Sequence, residues 1–529
     1  MVAPSSAGHA PPGRADDRPR DARAAPSRRP RAISMAAALL LSTFALFGAT
    51  AVAAGQAAVA PADTSPPDTV TYREALRLVL RRNTDVRRAQ RAAALAGTEA
   101  TQQAMDFLPS LQLSSGVTRT FGRSFSQQEG EILSRTSDFV DVGGSASLEL
   151  FNGFEKWASL ERAQHDEAAS RRQVDRARRT AIFQVVDRFA TLLRNRELTL
   201  VAEQELKVQE ELLRQVRGLV EVGRRPKSDL FQQQAARAEA EVALVEARRQ
   251  ERIAETELIR LLQLDPTAEY AFRASGFPDS VVAVSDSFRL EPLMQRAFEE
   301  RSDLDAARRS VEARRQGVRA AESGNWPSVS LSFDYGSDWS SNARRPVPGT
   351  GSPPETVTLT PDGGGDPVTI TVPGTGTEPE SFRPDFFDQI QDRRGGAVRL
   401  SMSVPLFDRF QTRTQIRSAQ VQLDNARYDL RDQRQAVAVQ VRQALLDYRS
   451  ARAQMRATRQ RLQAARRARE AARRRYELGA ATFVELTQAI SDFVSARSAH
   501  VQARYSLVRA RELIDYQTGT LDASPGSPS

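Results

Sequence analysis

Leu150-Phe151-Asn152-Gly153-Phe154 and Leu406-Phe407-Asp408-Arg409-Phe410 are one phrase written twice, 256 residues apart. Working outward, the same offset carries Ala163-Gln164 onto Ala419-Gln420, Val185 onto Val441, and Val222-Gly223 onto Leu478-Gly479. Upstream the offset changes to 218: Phe107-Leu108-Pro109-Ser110-Leu111 matches Asn325-Trp326-Pro327-Ser328-Val329, and Asp85 and Ala89 match Asp303 and Ala307. The chain is a two-fold internal repeat, and the repeat fixes its organisation before any element is assigned. The two offsets differ by 38, so the second copy carries 38 extra residues between its Pro-Ser pair and its Leu-Phe pair.

Each copy reads as helix, strand, loop, strand, long helix, turn, helix. Helical apolar spacing covers 71–107 and 289–325. Period-two alternation, which sends apolar groups to one face and polar groups to the other, marks four strands at about 111–118, 140–150, 329–335 and 398–404. In the last, Val398, Leu400, Met402 and Val404 alternate with Arg399, Ser401 and Ser403. Proline-free stretches at 153–222 and 409–478 predict two helices of about 105 Å. Apolar residues at Leu198, Val201, Val208, Leu212, Leu219 and Val222 keep coiled-coil spacing there. Gly223 and Gly479 end these helices, as glycine does in a left-handed cap, and 226–263 and 482–518 return as second helices. The domains are therefore a first repeat at 71–264, a connection at 265–288, a second repeat at 289–521 and a tail at 522–529. The excess length falls at 336–396, where Val357-Thr358-Leu359 and Val368-Thr369-Ile370-Thr371-Val372 flank Pro361–Pro367 as a hairpin.

The composition of the 529 residues excludes several chemistries. There is no cysteine, so no disulfide, thiolate metal site or redox pair. The histidines, His9, His165 and His500, lie far apart, which argues against a histidine-built metal site or triad. No cofactor and no catalytic residue is expected. His165-Asp166-Glu167 reads as a solvated patch of helix, and Asp362-Gly-Gly-Gly-Asp366 as a turn. At the start, residues 1–31 hold seven Arg and three Asp. An apolar stretch from Ala36 to Phe47 follows, then Ala51-Val52-Ala53. That order reads as a cleaved signal peptide over 1–53, followed by a linker at 54–70. Its apolar part is shorter than the roughly 18–20 residues of a spanning helix. Removing it takes the net charge from +9 to +5.

Four strands cannot close a barrel, and open strand edges are not tolerated in lipid, so several chains must combine. Three chains would give twelve strands and twelve tunnel helices. The duplicated halves, the Pro-Ser-Leu and Pro-Leu-Phe junctions and the Tyr476–Gly479 Tyr-x-x-Gly turn resemble the TolC family of outer-membrane efflux proteins, over about residues 70–521. One departure is Glu149, which stands where the second copy has Pro405. The resemblance implies a mainly α fold with a small β part: a homotrimeric twelve-stranded barrel in the outer membrane, continued by a periplasmic α-helical barrel. It implies an exit duct for efflux or type I secretion, partnered by a periplasmic adaptor, an inner-membrane pump and outer-membrane lipid.

The resemblance also implies sites. The turns at Val222, Gly223, Leu478 and Gly479 would form the adaptor-docking tip. An aperture gate would join Tyr476 to Asp229 and Ser228 by hydrogen bonds, with Glu485 ringing the lumen. Two elements are missing, since Ala481 holds the family's Arg position and Gln488 its second ring acid. Two other readings compete. An exported coiled-coil adaptor or scaffold without a pore explains the helices but not four alternating strands at equivalent points. A nucleic-acid binder would use Arg466, Arg467, Arg469, Arg473, Arg474 and Arg475, but stacking aromatics are absent there and no nucleic-acid partner is expected.

Overall fold

The computed structural model describes residues 69–126, 131–277, 288–347, 355–359, 368–372 and 381–521. The expected signal peptide, the C-terminal tail and the Asp362–Asp366 turn lie outside the described residues. In chain order the first copy contains β1 (Thr69–Thr71), α1 (Tyr72–Arg82), α2 (Thr84–Met105), β2 (Ser110–Ser126), β3 (Glu131–Asn152), α3 (Glu155–Glu221) and α4 (Lys227–Leu262). After β4 (Ala271–Arg273) the second copy begins with α5 (Leu290–Glu300), α6 (Ser302–Glu322) and β5 (Ser328–Ser340). Short strands β6 (Arg345–Pro346), β7 (Glu355–Leu359), β8 (Val368–Val372) and β9 (Ser381–Phe382) and helix α7 (Phe386–Asp392) follow. The copy closes with β10 (Gly395–Ser403), α8 (Gln411–Glu477) and α9 (Phe483–Thr518).

The long helices α3 and α8 have 67 residues each, about 100 Å of helix. Each starts after two consecutive left-handed residues, Gly153-Phe154 and Arg409-Phe410, which turn the chain sharply out of the sheet. Glu149 does not alter this bend. It lets β3 run on to Asn152 through a register shift between Glu149 and Phe151, whereas β10 stops at Ser403, two residues before Pro405.

Two expectations need correction. The stretches 71–107 and 289–325 are each two helices, broken at Asn83 and Arg301, whose backbones are extended. Asn83 breaks the helix because its Oδ1 accepts from the N–H groups of Asp85 (2.9 Å) and Val86 (3.2 Å), a cap that starts α2 afresh. The strands are also longer than the alternation suggests. Their upper parts carry Arg119 and Asp138 on the otherwise apolar face, which hide the period in sequence, but the ladder continues: Arg119 faces Asp138 and Asp141 faces Asp338.

The broken helices explain the layout. Near the sheet the row of neighbours is α2, α3, α6, α8; away from it the row is α4, α3, α9, α8. The long helices thus run through both levels, while the short ones are laid end to end. At the second joint, α9 ends where α6 begins, and Arg301 donates to Gln517 of α9. The main cores sit at this middle level. One gathers Tyr72, Val79, Phe189, Leu258, Leu262 and Phe272, with β1 and β4 paired in parallel beside it. The other gathers Leu293, Leu304, Val437, Val441, Tyr448 and Ile514. In the inserted segment, β7 and β8 pair antiparallel from Glu355↔Val372 to Leu359↔Val368.

Candidate functional site

The four long strands form one antiparallel sheet in the order β10-β5-β3-β2. Its register sorts the side chains. Leu113 stands beside Gly144 and Val117 beside Val140; Ala146 faces Phe333, which faces Val398; Leu148 faces Leu331, which faces Leu400. The opposite face carries Gln112, Ser114, Ser145, Ser147, Ser330, Ser332 and Ser401. One face is therefore apolar and the other polar across all four strands.

Over the lower sheet both faces are largely exposed; at the top Val140 is buried and α7 packs on β5, with Phe386 5.7 Å from Trp339. Leu113 is 73% exposed, Val117 74%, Val398 72% and Leu400 66%. In water such a face would be an aggregating patch; against lipid it is an ordinary wall. The two outermost strands, β2 and β10, each pair on one side only among the described residues. At the foot of the sheet, aromatic side chains gather where strands become helices. Phe107 meets Trp157 edge-on at 4.9 Å, Phe151 meets Phe154 at 5.2 Å, and Trp157, Trp326, Phe407 and Phe410 are exposed. The two indoles, Trp157 and Trp326, are of the amphipathic kind that settles at a membrane–water boundary, and the phenylalanines extend the apolar wall beside them. No helix among the described residues is long and apolar enough to cross a membrane.

At the far end, the two helical hairpins turn in the same way. Gly223 and Gly479 have φ of +76° and +75°, in the left-handed region that a β-carbon disfavours. Around each, paired backbone bonds close the helix: Gly223 N–H to Val220 C=O with Arg224 N–H to Leu219 C=O, and Gly479 N–H to Tyr476 C=O with Ala480 N–H to Arg475 C=O. Val222 and Leu478 stand out at the tips, 66% and 83% exposed.

The expected gate residues gather near these turns, with different bonds from those the resemblance implies. Tyr476 packs with Val220, Leu230 and the buried Leu212, Val216, Phe483, Leu486 and Ile490. Its Oη is buried and has no hydrogen-bond partner, so the expected Tyr476–Asp229 hydrogen bond is not formed. Burial raises the Tyr476 pKa, with the Asp229 charge adding to that and the Arg225 charge opposing it. Asp229, in the first turn of α4, instead faces Arg225, Nη1 to Oδ2 3.6 Å. The Arg225 guanidinium lies 4.8 Å from the centre of the Tyr476 ring. Ser228 is exposed. Glu485 is half exposed, forms an ion pair with Arg475 at 3.5 Å, and sits in a helix start capped by Thr482 Oγ1. Gln488 donates to Asp492 and Ala481 is buried.

Arg225 is the residue that sequence reasoning missed. The signal was available: moving 256 residues back from Ala481, where the family's arginine is absent, arrives at Arg225. The arginine run on α8 is largely engaged, with Arg466 on Glu470, Arg473 on Glu477 and Arg469 over the ring of Phe493. The His165-Asp166-Glu167 patch is engaged too, with Asp166 beside Arg162 and Glu167 paired to Arg171. Among the described residues, no cluster of acidic or histidine side chains could hold a metal.

A model of the outer membrane efflux protein family matches residues 75–263 and 293–520, one segment on each copy. The chain belongs to that family. The efflux protein is thus an outer-membrane transport protein, and the pore-free scaffold reading is not favoured. Solved structures agree on the fold. It is similar to the Campylobacter jejuni CmeC outer membrane channel at TM-score 0.68 and 15% identity, over 85% of each chain. It is similar to VceC of Vibrio cholerae at 0.65 and 17%, over 85% of this chain and 96% of that one. It is also similar to the open state of the Neisseria gonorrhoeae MtrE outer membrane channel at 0.65 and 18%, over 86% and 91%. No curated protein sequence matches the efflux protein significantly.

Proposed function

We propose that three copies of the chain join sheet edge to sheet edge and helix row to helix row, giving a twelve-stranded barrel that opens into a twelve-helix tube. The observation that carries this reading is the sheet: apolar on one face, polar on the other, largely exposed on both over its lower part, and, among the described residues, unpaired along the outer edges of β2 and β10. A polar inner face and a lipid-facing outer one are what a water-filled barrel requires, and closure is the way lipid-exposed strands lose their edges. Four helices per copy at each level suit the same three-fold count.

The helical end then lies in the periplasm, where Val222, Gly223, Leu478 and Gly479 offer a ring of six turns to a periplasmic adaptor and, through it, an inner-membrane pump. The inserted segment at 336–396 lies at the opposite end, facing the cell exterior. A transmembrane strand needs about 9–11 residues. β10 has nine, β5 thirteen, β2 seventeen and β3 twenty-two, so β2 and β3 stand well above the membrane. Tyr476, Asp229, Ser228 and Glu485 sit at the narrow end of the tube, and three copies of Glu485 would draw cations there, although Arg475 offsets part of that charge.

The test is membrane fractionation followed by sizing in mild detergent. The chain is expected in the outer membrane as a trimer. Leu400→Arg, on the lipid face, should cost about 2–4 kcal/mol near mid-membrane and deplete the trimer. Ser401→Arg, on the opposite face, should leave it intact. A monodisperse soluble monomer, or equal tolerance of both substitutions, overturns the reading.

A further inference from the structure

The internal repeat dictates how the sheet of one copy meets the next. Each half of the chain pairs its own two strands in the same register: Ser110↔Ser147 becomes Ser328↔Ser403 when β2 is moved by 218 residues and β3 by 256. In a closed trimer the seam between the halves, β3 against β5, recurs between β10 of one chain and β2 of the next. The same shifts turn Ser147↔Ser332 into Ser403↔Ser114, Gly144↔Tyr335 into Leu400↔Val117, and Phe139↔Ser340 into Gly395↔Gly122. Each face of the sheet then meets its like. Just above these pairs the two kinds of seam differ. Inside the chain the next positions are Asp138 and Ser341. Asp138 N–H donates to Ser341 Oγ and Ser341 N–H to the Asp138 carbonyl, both at 2.9 Å, and the Asp138 carboxylate accepts from Arg119. Between chains the same two positions hold Arg394 and Arg123.

Both arginines are exposed. Arg123 forms no ion pair among the described residues, and Arg394 donates to the Gln391 carbonyl at 2.8 Å. Asp392, beside Arg394, is held by Arg345 at 3.0 Å. Arg123 shares the outward face of β2 with Leu113 and Val117, and Arg394 is in step with Val398 and Leu400. A strand crosses lipid in about 9–11 residues, so β2, starting at Ser110, leaves the hydrocarbon near Arg119 and carries Arg123 among the headgroups.

We propose that each seam between copies holds a phosphate of an outer-leaflet lipid, gripped by Arg123 of one copy and Arg394 of the next, with the acyl chains against Val117 and Leu400. This rests on the trimeric reading above. Two guanidiniums at facing positions repel unless an anion lies between them, and the guanidinium fork matches phosphate. A lipid fills both halves of the place, because its phosphate meets the arginines and its chains meet the aliphatic wall below. A free anion would fill only the first. The seams inside each chain, with Asp138 and Ser341, offer no such site.

The register is tested by introduced cysteines, since the chain has none. Ser114 and Ser403 lie on opposite edge strands of one sheet, so Ser114→Cys with Ser403→Cys should oxidise to covalent dimers and trimers on a denaturing gel. Thr118→Cys with Ser403→Cys, four residues out of step, should not. The site is tested by native mass spectrometry of the trimer in mild detergent, titrated with lipid A, a glycolipid bearing two phosphates. One lipid should be retained per seam, and Arg123→Gln with Arg394→Gln should weaken retention on the order of thirtyfold while the Ser114–Ser403 cross-link still forms. Arg399→Gln, which removes a charge from the lumen face, should leave retention unchanged. Equal retention by the double variant and the wild type overturns the site, and so does displacement of the lipid by millimolar inorganic phosphate. Cross-linking of the second cysteine pair in place of the first overturns it as well. A chain that forms no trimer overturns the trimeric reading, and the site with it.

Discussion

The two copies make identical backbone turns at their tips and arm them differently. Gly223 and Gly479 share a φ within a degree, yet Arg224-Arg225-Pro226 follows one and Ala480-Ala481-Thr482 the other. Thr482 caps its helix through Oγ1; Pro226 offers no such cap, and the first hairpin spends its side chains on reaching the second. The helix joints diverge in the same manner. Asn83 caps α2 locally, whereas its counterpart Arg301 caps nothing and is 2% exposed. Its guanidinium donates to both oxygens of Asp303 and to Gln440 and Gln517, tying α6 to α8 and α9. Duplication conserved the backbone solution, and the side chains were then free to specialise.

The joints offer the sharpest way to break this comparison. Removing Arg301 takes two charged hydrogen bonds from the half-buried Asp303, which keeps Arg176 at 3.8 Å and Gln433 at 2.9 Å, and cuts the ties to Gln440 and Gln517, a loss of about 2–3 kcal/mol. Asn83→Ala removes only a cap, about 1 kcal/mol. Thermal unfolding of the trimer in detergent should therefore drop far more for Arg301→Ala than for Asn83→Ala. Equal drops would mean that the joints are held alike and that the Arg301 network adds nothing.

A second divergence is Glu512, which stands where the first copy has Thr256. Burial, then the charge of Asp515, pushes the Glu512 carboxyl up to about 7, with Arg511 opposing. Tyr72 of α1 also faces this carboxyl, and its own pKa is raised, chiefly by burial. The folded state thus holds the Glu512 proton more tightly than the unfolded chain. Stability from this group is present below the unfolded pKa near 4.5 and is lost as pH rises through 7. Glu512→Thr, which restores the first-copy residue, should stabilise the trimer at pH 8 by about 1–3 kcal/mol and change little at pH 4. A gain of the same size at both pH values would assign the effect to packing instead.

The smallest effect tests what the copies share. Gly223→Ala and Gly479→Ala place a β-carbon in left-handed backbone with no neighbour within 4 Å, so each should cost about 1 kcal/mol for conformational reasons alone. Matching losses in unfolding would sharpen the equivalence of the turns. A markedly larger loss at Gly223 would show that the two turns are not equivalent.

Much of this architecture was legible in sequence because repeats and periods are local patterns. The two offsets located both copies, alternation found the sheet's lower half, and the proline-free stretches gave α3 and α8 nearly to their ends. What escaped depends on distant partners. The upper sheet escaped because charges pair there where no lipid demands apolar side chains: Arg119 with Asp138 across strands, and Arg393, at the end of α7, with Asp338 of β5. Arg301 escaped because its acceptors lie 139 and 216 residues away. The resemblance points to the Tyr476 hydroxyl, whereas its ring meets the Arg225 guanidinium and its hydroxyl has no hydrogen-bond partner. That a tyrosine binds through its ring while its oxygen stays idle is a fact of packing, invisible in the letters.

The end-to-end laying of short helices beside unbroken ones has a mechanical consequence. α3 and α8 act as continuous beams from the membrane to the tip, and a beam can only bend. The pairs α4 with α2 and α9 with α6 are jointed rods, and a joint can slip. Any sideways load on the tips falls on the two joints, which are held differently: Arg301 sends two of its four hydrogen bonds to other helices, whereas Asn83 caps α2 locally and its joint rests on apolar packing. Apolar contacts can slide where directed hydrogen bonds must break, so under load the first hairpin is expected to shift as a lever and the second to stand as its fulcrum.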